Sequence, residues 1–572
     1  MILPSITSHQ PANHINLDSW KFPRNITLAD STFHKPGGID CLIGAGMFFD
    51  LLLVGQMKLP NTSSVLQKTK LGWIVSGIAP PLSSSSPSSL HTASSLPFSL
   101  YKSFIAVSNH PQLDHLLEKF WTLESYNESS RFLSAEERAC EKFFEATTTR
   151  CPVTNKYIVR LPLKEDPQTL GHSYETALKR LLGLEYKLAR NPPLLKQYYD
   201  FMGEYESMKH MTELESNTKG RYFIPHHCVM RADSSTTKFR VVFDASCRTT
   251  SGKSLNEILR VGPTLQDDIF TILIRFRSHK YVLMADIAKM YRQVLVHEAD
   301  TPWQCIVWRS SPEIQPKVYK LQTVTYGTSC APYLATKCLL QLARDESSRF
   351  PIGAAVTLKD FYVDNLMTGA STVNEVIAIK QQVTSLLSSG GFPLRKFASN
   401  HMRVIEDVPQ EDREKSVKLG DSEYVKTLGL KWSPVEDIFI FSYNNRSSQS
   451  KATKRSILSQ IVSFFDPLGL LNPLIVSCKL LMQQLWELIP DWDESVPQDV
   501  YTQWRNFHQQ LNRIDNIQIP RYVPINATTE IHAFADASSR AYGACIYMVT
   551  RSSREAVSSL VCAKSRVAPK KE

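Results

Sequence analysis

Residues 361–369 (FYVDNLMTG) constrain the fold more than any other stretch of this chain, because they place an acidic residue between two apolar runs. Aromatic and β-branched residues precede Asp364, and Leu366 and Met367 follow it, so both halves have strand character. Asp-Asn between two apolar runs is typical of a tight hairpin. A carboxylate at a hairpin tip is badly placed for a core and well placed for a metal ion. An exposed turn residue is the alternative, and this motif alone leaves both interpretations open.

A second carboxylate of the same kind lies upstream, in residues 281–296 (YVLMADIAKMYRQVLV). This stretch begins as an apolar strand, reaches Asp286, turns, and resumes as a second apolar strand. Two strands that each deliver an aspartate to one sheet edge can hold two Mg²⁺ ions about 3.5–4 Å apart, the arrangement used for in-line phosphoryl transfer. Mg²⁺ binds through one or two carboxylates and fills its other positions with water and substrate phosphates. Asp286 and Asp364 are therefore the candidate metal ligands, and a strand-end cap is the alternative for either one alone.

These two segments resemble the A and C motifs of reverse transcriptases, and the surrounding sequence is similar to the polyprotein of BEL/Pao-type LTR retrotransposons. The resemblance implies an α+β multidomain fold: a right-hand polymerase of fingers, palm and thumb, with a truncated all-β protease-like segment before it and a truncated RNase H-like segment after it. It also implies an RNA-directed DNA polymerase. Such an enzyme joins deoxynucleoside triphosphates to a primer 3′-hydroxyl on an RNA or DNA template, with Mg²⁺ or Mn²⁺ as cofactor.

On this resemblance the chain divides into six regions. We expect the C-terminal part of a retropepsin-like domain in residues 1–79, a Ser/Pro-rich linker in 80–100, a helical connection region in 101–220, polymerase fingers and palm in 221–435, a Pao-type thumb and connection region in 436–525, and a truncated RNase H-like start in 526–572. The linker also follows from composition, since a run of Ser and Pro cannot bury a core. Helical spacing predicts helices over residues 135–146, 174–188 and 265–276.

Further candidate residues come from motifs that follow one another in the family's order. Lys238 and Arg240 are two residues apart on a predicted strand, so they face the same side, and Arg can clamp a triphosphate through two bonds. The resemblance places Tyr291 under the sugar, where its ring would exclude a ribose 2′-hydroxyl; an ordinary buried tyrosine is the alternative. It also implies that Tyr326 and Gly327 approach the nucleotide and template base, where glycine permits close backbone contact.

Two residues bear on whether such a site is active. Reverse transcriptases carry two aspartates in the hairpin, whereas the second position here is Asn365, which offers a carbonyl oxygen but no charge. Full activity from Asp286 and Asp364, reduced activity, and a catalytically impaired relic that only binds nucleic acid all remain open. Lys396 resembles the motif D lysine that acts as general acid toward pyrophosphate, and a surface lysine is its alternative.

Both ends of the chain resemble parts of other catalytic domains. Residues 39–46 are typical of an apolar strand, and residues 71–77 are typical of a strand with a turn. Together with residues 28–30 they resemble the C-terminal half of a retropepsin-like aspartic protease, but Asp-Thr-Gly and Asp-Ser-Gly occur nowhere in the chain. We therefore expect no aspartic peptidase activity. Residues 531–547 resemble the first hairpin of RNase H, with Asp536 as its first metal carboxylate. Since that family needs three or four carboxylates, we expect no RNase H activity.

Composition adds weaker constraints. The net charge is +10, and residues 219–280 contain eleven Lys and Arg against five Asp and Glu, which favours an anionic partner. The eleven Cys form no C-x-x-C pair, which argues against a zinc site and fits a reducing compartment. Adjacent His226 and His227 lack a partner cluster, so we interpret them as structural, with metal ligation as the alternative.

No signal peptide or membrane span is recognisable. We expect no membrane partner and an intracellular, cytoplasmic and particle-associated location, with the nucleus as an alternative; the oligomeric state is open.

Overall fold

In the computed structural model the chain divides into two units, Met1–Tyr126 and Asn127–Glu572. The structure describes residues 14, 17, 20, 22–23, 26–35, 37, 51–59, 65–76, 133–214, 220–230, 239–419, 422–442, 452–461, 464–488, 491–511, 513–514, 517–551 and 555–568. Three predictions lie outside these described residues: the strand at residues 39–46, the linker at 80–100, and the placement of Lys238.

The first unit contains a small antiparallel sheet with its second strand in the middle. Its strands are β1 (Leu52–Lys58), β2 (Val65–Thr69) and β3 (Gly72–Ser76). Leu59 and Leu66 are buried together with Trp20. Asp30 accepts hydrogen bonds from the backbone N–H and the hydroxyl of Thr32, both at 2.7 Å, so this carboxylate closes a local turn. The predicted strand at residues 71–77 is confirmed as β3.

The helices of the second unit alternate with short strands. They are α1 (Ala135–Thr147), α2 (Tyr174–Ala189), α3 (Pro192–Ser207), α4 (Leu255–Ile258), α5 (Ile269–Ser278), α6 (Ala331–Asp345), α7 (Pro351–Lys359), α8 (Val373–Ser389), α9 (Met402–Ile405), α10 (Lys454–Ile461), α11 (Asn472–Leu488) and α12 (Gln498–Leu511). Within the described residues, none of these helices is both long and apolar enough to cross a bilayer.

Side-chain caps explain where several helices begin. Ser134 and Glu137 form a capping box that satisfies two exposed N–H groups at the start of α1. The predicted helices at residues 135–146 and 174–188 are confirmed as α1 and α2. The helix predicted over 265–276 begins later, at Ile269, because Asp268 caps it: the Asp268 carboxylate accepts a hydrogen bond from the backbone N–H of Thr271 at 2.7 Å.

The strands of the second unit form several separate sheets. They are β4 (Thr149–Arg150), β5 (Tyr157–Val159), β6 (Met211–Glu213), β7 (His226–Met230), β8 (Phe239–Phe243), β9 (Tyr281–Ile287), β10 (Leu295–Val296), β11 (Cys305–Trp308), β12 (Lys317–Leu321), β13 (Phe361–Tyr362), β14 (Asn365–Ala370), β15 (Leu394–Ser399), β16 (Val417–Leu419), β17 (Ser422–Thr427), β18 (Leu430–Ser433), β19 (Ile438–Ile440), β20 (Gln518–Pro520), β21 (Thr529–Ala537), β22 (Ala541–Arg551) and β23 (Ala556–Val567). The fold is thus a mixture of helices and sheets, as expected for an α+β chain.

The sheet with the order β13-β14-β9-β15 lies between two hydrophobic cores. Strand β9 pairs antiparallel with β14 on one side and β15 on the other. Its side chains alternate between faces, so Leu283 and Ala285 enter one core while Val282 and Met284 enter the other. Burial on both faces explains why β9 is apolar throughout until Asp286.

Buried arginines tie the C-terminal sheet to helix α5. Arg521 is fully buried and forms two ion-pair contacts with Asp437, at 2.6 and 2.7 Å. Arg277 of α5 donates hydrogen bonds to the backbone carbonyls of Arg521 at 3.0 Å and Val561 at 2.6 Å. Burial and the neighbouring Arg521 lower the pKa of Arg277 to about 10. These contacts join elements far apart in sequence, so the C-terminal strands pack against the element that supports β9.

His226 has a structural role, as the sequence predicts. Its Nε2 donates to the carbonyl of Val307 at 3.0 Å, and its Nδ1 accepts from the hydroxyl of Tyr198. Both ring nitrogens are therefore used by a neutral imidazole in the core. Burial lowers the pKa of His226 to about 4, whereas His227 on the same strand is exposed.

We predict that His226 makes the protein less stable as the pH falls from about 6.5 toward 4. The folded pKa of about 4 lies below the unfolded value of 6.5, so the unfolded chain binds the extra proton in this window. The contribution of His226 to the free energy of unfolding is therefore fully present above pH 6.5 and is lost as the pH falls toward 4. Urea unfolding between pH 4.5 and 7 should show a flatter profile for His226→Gln. The His227→Gln control should keep the wild-type slope, and equal slopes in the two variants would contradict the assignment.

Candidate active site

The register of the central sheet brings the two predicted aspartates together. Asp286 is near the end of β9, and its cross-strand partner on β14 is Asn365. Asp364 lies in the two-residue turn that joins β13 to β14. Its backbone carbonyl accepts a hydrogen bond from the N–H of Ile287 at 2.8 Å. The hairpin tip is thus fixed beside the end of β9.

The two carboxylates influence each other's ionisation. Burial, followed by the negative charge of Asp286, raises the pKa of Asp364 to about 6. Burial also raises the pKa of Asp286, and the cation of Lys396 opposes that shift. Two partly buried like charges in one place favour a bound cation, because a cation removes their repulsion.

The donor set fits a divalent cation held by few protein ligands. Asp286 and Asp364 offer carboxylates, and Asn365 adds a neutral amide that donates a hydrogen bond to Asp364 Oδ1 at 2.9 Å. Among the described residues, no group of three or more His, Cys, Asp or Glu side chains could hold a metal. Two carboxylates are sufficient for Mg²⁺ where substrate phosphates complete its coordination.

Lys396 contacts the site through a bulge in strand β15. The pairing of β15 with β9 shifts between Arg395 and Ala398, and Lys396 within this shift has a φ of 55°. Its Nζ lies 3.1 Å from Oδ2 of Asp286. The predicted general acid and the first predicted metal ligand are therefore an ion pair in this structure.

Two of the predicted nucleotide-binding residues interact electrostatically with Asp364. Arg240 is exposed on β8, and its positive charge lowers the pKa of Asp364. Tyr291 lies in the helical turn Met290–Gln293 that follows β9. Burial and then the charge of Asp364 raise the pKa of Tyr291. Arg240 and Tyr291 are thus within electrostatic range of Asp364, and their roles stay predictions.

Tyr326 and Gly327 form a turn against strand β8. Gly327 has a φ of 107°, and a Cβ there would lie 2.0 Å from the backbone oxygen of Phe243. Only glycine fits this contact. The rings of Tyr326 and Phe243 lie 5.2 Å apart, so the turn and the strand that carries Arg240 are packed together.

Asp536 lies on a different element, strand β21, where it is exposed. Its carboxylate accepts a hydrogen bond from the backbone N–H of Ala537 at 2.8 Å. In the described part of the chain, no metal-binding group of three or more acidic, His or Cys residues surrounds it. Its predicted role as an RNase H carboxylate stays a prediction.

The sequence interpretation missed two side chains near this site. Gln266 hydrogen-bonds the backbone of the hairpin tip at Val363. Arg292 is buried behind Tyr326, with its guanidinium 4.5 Å from the ring centre of Tyr205 and 5.9 Å from that of Tyr326. Neither contact has a local sequence signal, because both partners are distant along the chain.

Comparison with known families bears on the C-terminal part of the chain. Residues 453–572 match the model of the Pao retrotransposon-like RNaseH-like domain. No curated protein matches the chain. The match supports an origin in a Pao/BEL retrotransposon polyprotein and a relation to nucleic-acid-processing enzymes. It covers both the predicted connection region from residue 453 and the predicted RNase H-like start.

We predict that Lys396→Met raises the pKa values of Asp286 and Asp364. The Lys396 cation favours both ionised carboxylates, so its removal shifts their titration to higher pH. NMR titration of aspartate labelled with ¹³C at the carboxyl carbon, with divalent ions chelated, measures the two midpoints. Arg395→Met is the matched control, because Arg395 pairs with Asp412 at 3.5 Å instead. Unchanged midpoints in Lys396→Met would contradict the electrostatic account.

Proposed function

We propose that this chain is an RNA-directed DNA polymerase of a retrotransposon, which transfers deoxynucleotides to a primer 3′-hydroxyl. One observation carries the proposal: the β9–β14 register puts Asp286 opposite Asn365 and therefore next to Asp364. Two strand-end carboxylates that perturb each other's pKa form the kind of site expected at a catalytic centre. The retroelement family match at residues 453–572 supports the same origin.

In this proposal Asp286 and Asp364 would hold two divalent cations, Mg²⁺ or Mn²⁺, as the first and second carboxylate ligands. When bound, the cations would stabilise the charge of the phosphoryl group being transferred and favour ionisation of the primer hydroxyl. The protein's own residues bind and orient the substrates. Arg240 pairs with the triphosphate, since a guanidinium binds two phosphate oxygens at once. Lys238 lies outside the described residues, and its role toward the triphosphate stays a prediction.

The remaining residues select the incoming nucleotide and assist the release of pyrophosphate. The ring of Tyr291 forms a wall beside Asp364 that excludes a 2′-hydroxyl and so favours deoxynucleotides. Gly327 would let the backbone approach the base, and it also lets this turn pack against β8, because a Cβ there would lie 2.0 Å from the backbone oxygen of Phe243. Lys396 moves from its ion pair with Asp286 to donate a proton to the leaving pyrophosphate. The partners are a primer paired to an RNA or DNA template and deoxynucleoside triphosphates.

A second candidate function is nucleic-acid binding without turnover. The observation that favours it is Asn365, which removes one negative charge from the hairpin. Both candidates require basic side chains that contact nucleic-acid phosphates, so duplex binding should fall steeply with salt in either case. They differ in whether bound primer is extended.

We predict that the full chain extends a DNA primer on an RNA template with Mg²⁺ or Mn²⁺, and that Asp286→Asn and Asp364→Asn each lower extension about a hundredfold or more. Loss of a carboxylate removes a metal ligand and leaves duplex binding intact. Gel-based extension and filter binding measure the two properties separately. Glu313→Gln, an exposed carboxylate change away from the hairpin, should behave as wild type.

The outcomes separate the two candidates. Extension that survives Asp286→Asn or Asp364→Asn would refute this site. A folded protein that binds primer–template and extends nothing would favour nucleic-acid binding alone. In that case Asn365→Asp tests whether the missing charge is the cause, since it restores a second acidic residue to the hairpin.

A further inference from the structure

The hairpin tip contains an unusual backbone conformation at Val363. Tyr362 pairs with Asn365, so Val363 and Asp364 are the two central residues of the turn. Val363 has a φ of 56°, whereas Asp364 is not among the residues with positive φ. This pattern corresponds to a turn in which glycine is preferred at the first central position. A β-branched residue there is a genuine outlier and requires external support.

Gln266 supplies that support from another element. Its Oε1 accepts a hydrogen bond from the backbone N–H of Val363 at 2.7 Å, and its Nε2 faces the Val363 carbonyl oxygen at 3.4 Å. One side-chain amide thus contacts both polar backbone groups of the strained residue. The distance along the chain is 97 residues, so this is a tertiary contact.

The supporting amide is itself fixed in place. Gln266 is only 9% exposed and lies just before α5. Next to it, Asp267 forms an ion pair at 2.8 Å with Arg275 of α5. Arg275 also contacts Asp360 at 3.1 Å, the residue immediately before β13. The loop that carries Gln266 and the stem of the hairpin are therefore joined through one arginine.

Asp364 is held between two backbone contacts as a result. Gln266 fixes the backbone of Val363, the residue before Asp364. The backbone N–H of Ile287 donates a hydrogen bond to the carbonyl of Asp364 at 2.8 Å. The side chain of Val363 packs against the core, which stiffens the tip further. We propose that Gln266 is a positioning residue whose amide holds Val363 in the left-handed conformation and thereby fixes Asp364 beside Asp286. The role in catalysis rests on the proposed polymerase function.

The contact itself can be tested without any activity. Selective ¹⁵N-valine labelling of the full chain, with divalent ions chelated, reports hydrogen exchange at the Val363 amide. We expect Gln266→Met, which keeps the side-chain length and removes the amide, to speed this exchange about tenfold. Asp364→Asn should leave it protected. Equal exchange in wild type and Gln266→Met would overturn the proposal.

Mn²⁺ binding, followed by electron paramagnetic resonance, tests the positioning role. We expect Gln266→Met to weaken Mn²⁺ binding about tenfold. Adding Val363→Gly should restore it to within about threefold, because glycine adopts a positive φ without steric cost. Adding Val363→Ala instead should restore much less, because alanine retains a Cβ. Rescue by glycine but not alanine is a result that general destabilisation does not produce.

The remaining outcomes are distinguishable. Wild-type Mn²⁺ affinity in Gln266→Met, despite faster exchange at Val363, would overturn the positioning role and leave the proposed function intact. Equal rescue by alanine and glycine would overturn the role of the left-handed conformation. A wild-type protein that binds no Mn²⁺ and extends no primer would overturn the proposed function itself, and the positioning role with it.

Discussion

The rest of the site depends on the register of strand β9 between β14 and β15. Alternate residues of β9 enter different hydrophobic cores, with Leu283 and Ala285 on one side and Val282 and Met284 on the other. A slip of one residue would exchange all four between the cores and move Asp286 away from the hairpin. The requirement to fill two cores thus also specifies where the carboxylates meet.

The same arrangement places like charges together at a cost in stability. Asp286 and Asp364 are both partly buried, and burial raises the pKa of each. Lys396 and Arg240 offset this repulsion from two other strands, β15 and β8. Repulsion between like charges is expected in a site that binds a ligand at some cost in folding stability. The buried contacts of Arg277 and Arg521 contribute rigidity behind the sheet.

The candidate aspartates and several helices could be predicted from the sequence, because each depends on a local pattern. An apolar run ending in an acidic residue predicted both Asp286 and Asp364, and amphipathic spacing predicted helices α1 and α2. The predicted start of α5, at residue 265, was wrong by four residues, because the apolar spacing begins before the capping residue Asp268. The bulge that delivers Lys396 and the bonds from Gln266 to Val363 could not be predicted, because each depends on an element distant in sequence. The family match at residues 453–572 supports a retroelement origin, for which local patterns alone are weaker evidence.

The central claim is that Asp286 and Asp364 together form one site that binds divalent cations. Iron-directed backbone cleavage tests it most directly: Fe²⁺ replaces Mg²⁺ in the full chain, and ascorbate with peroxide then generates radicals that cut nearby backbone. The account predicts fragments that end near residues 286 and 364 together, suppressed by excess Mg²⁺ and absent from Asp364→Asn. Cleavage at other positions, or cleavage at these positions that persists in Asp364→Asn, would contradict it.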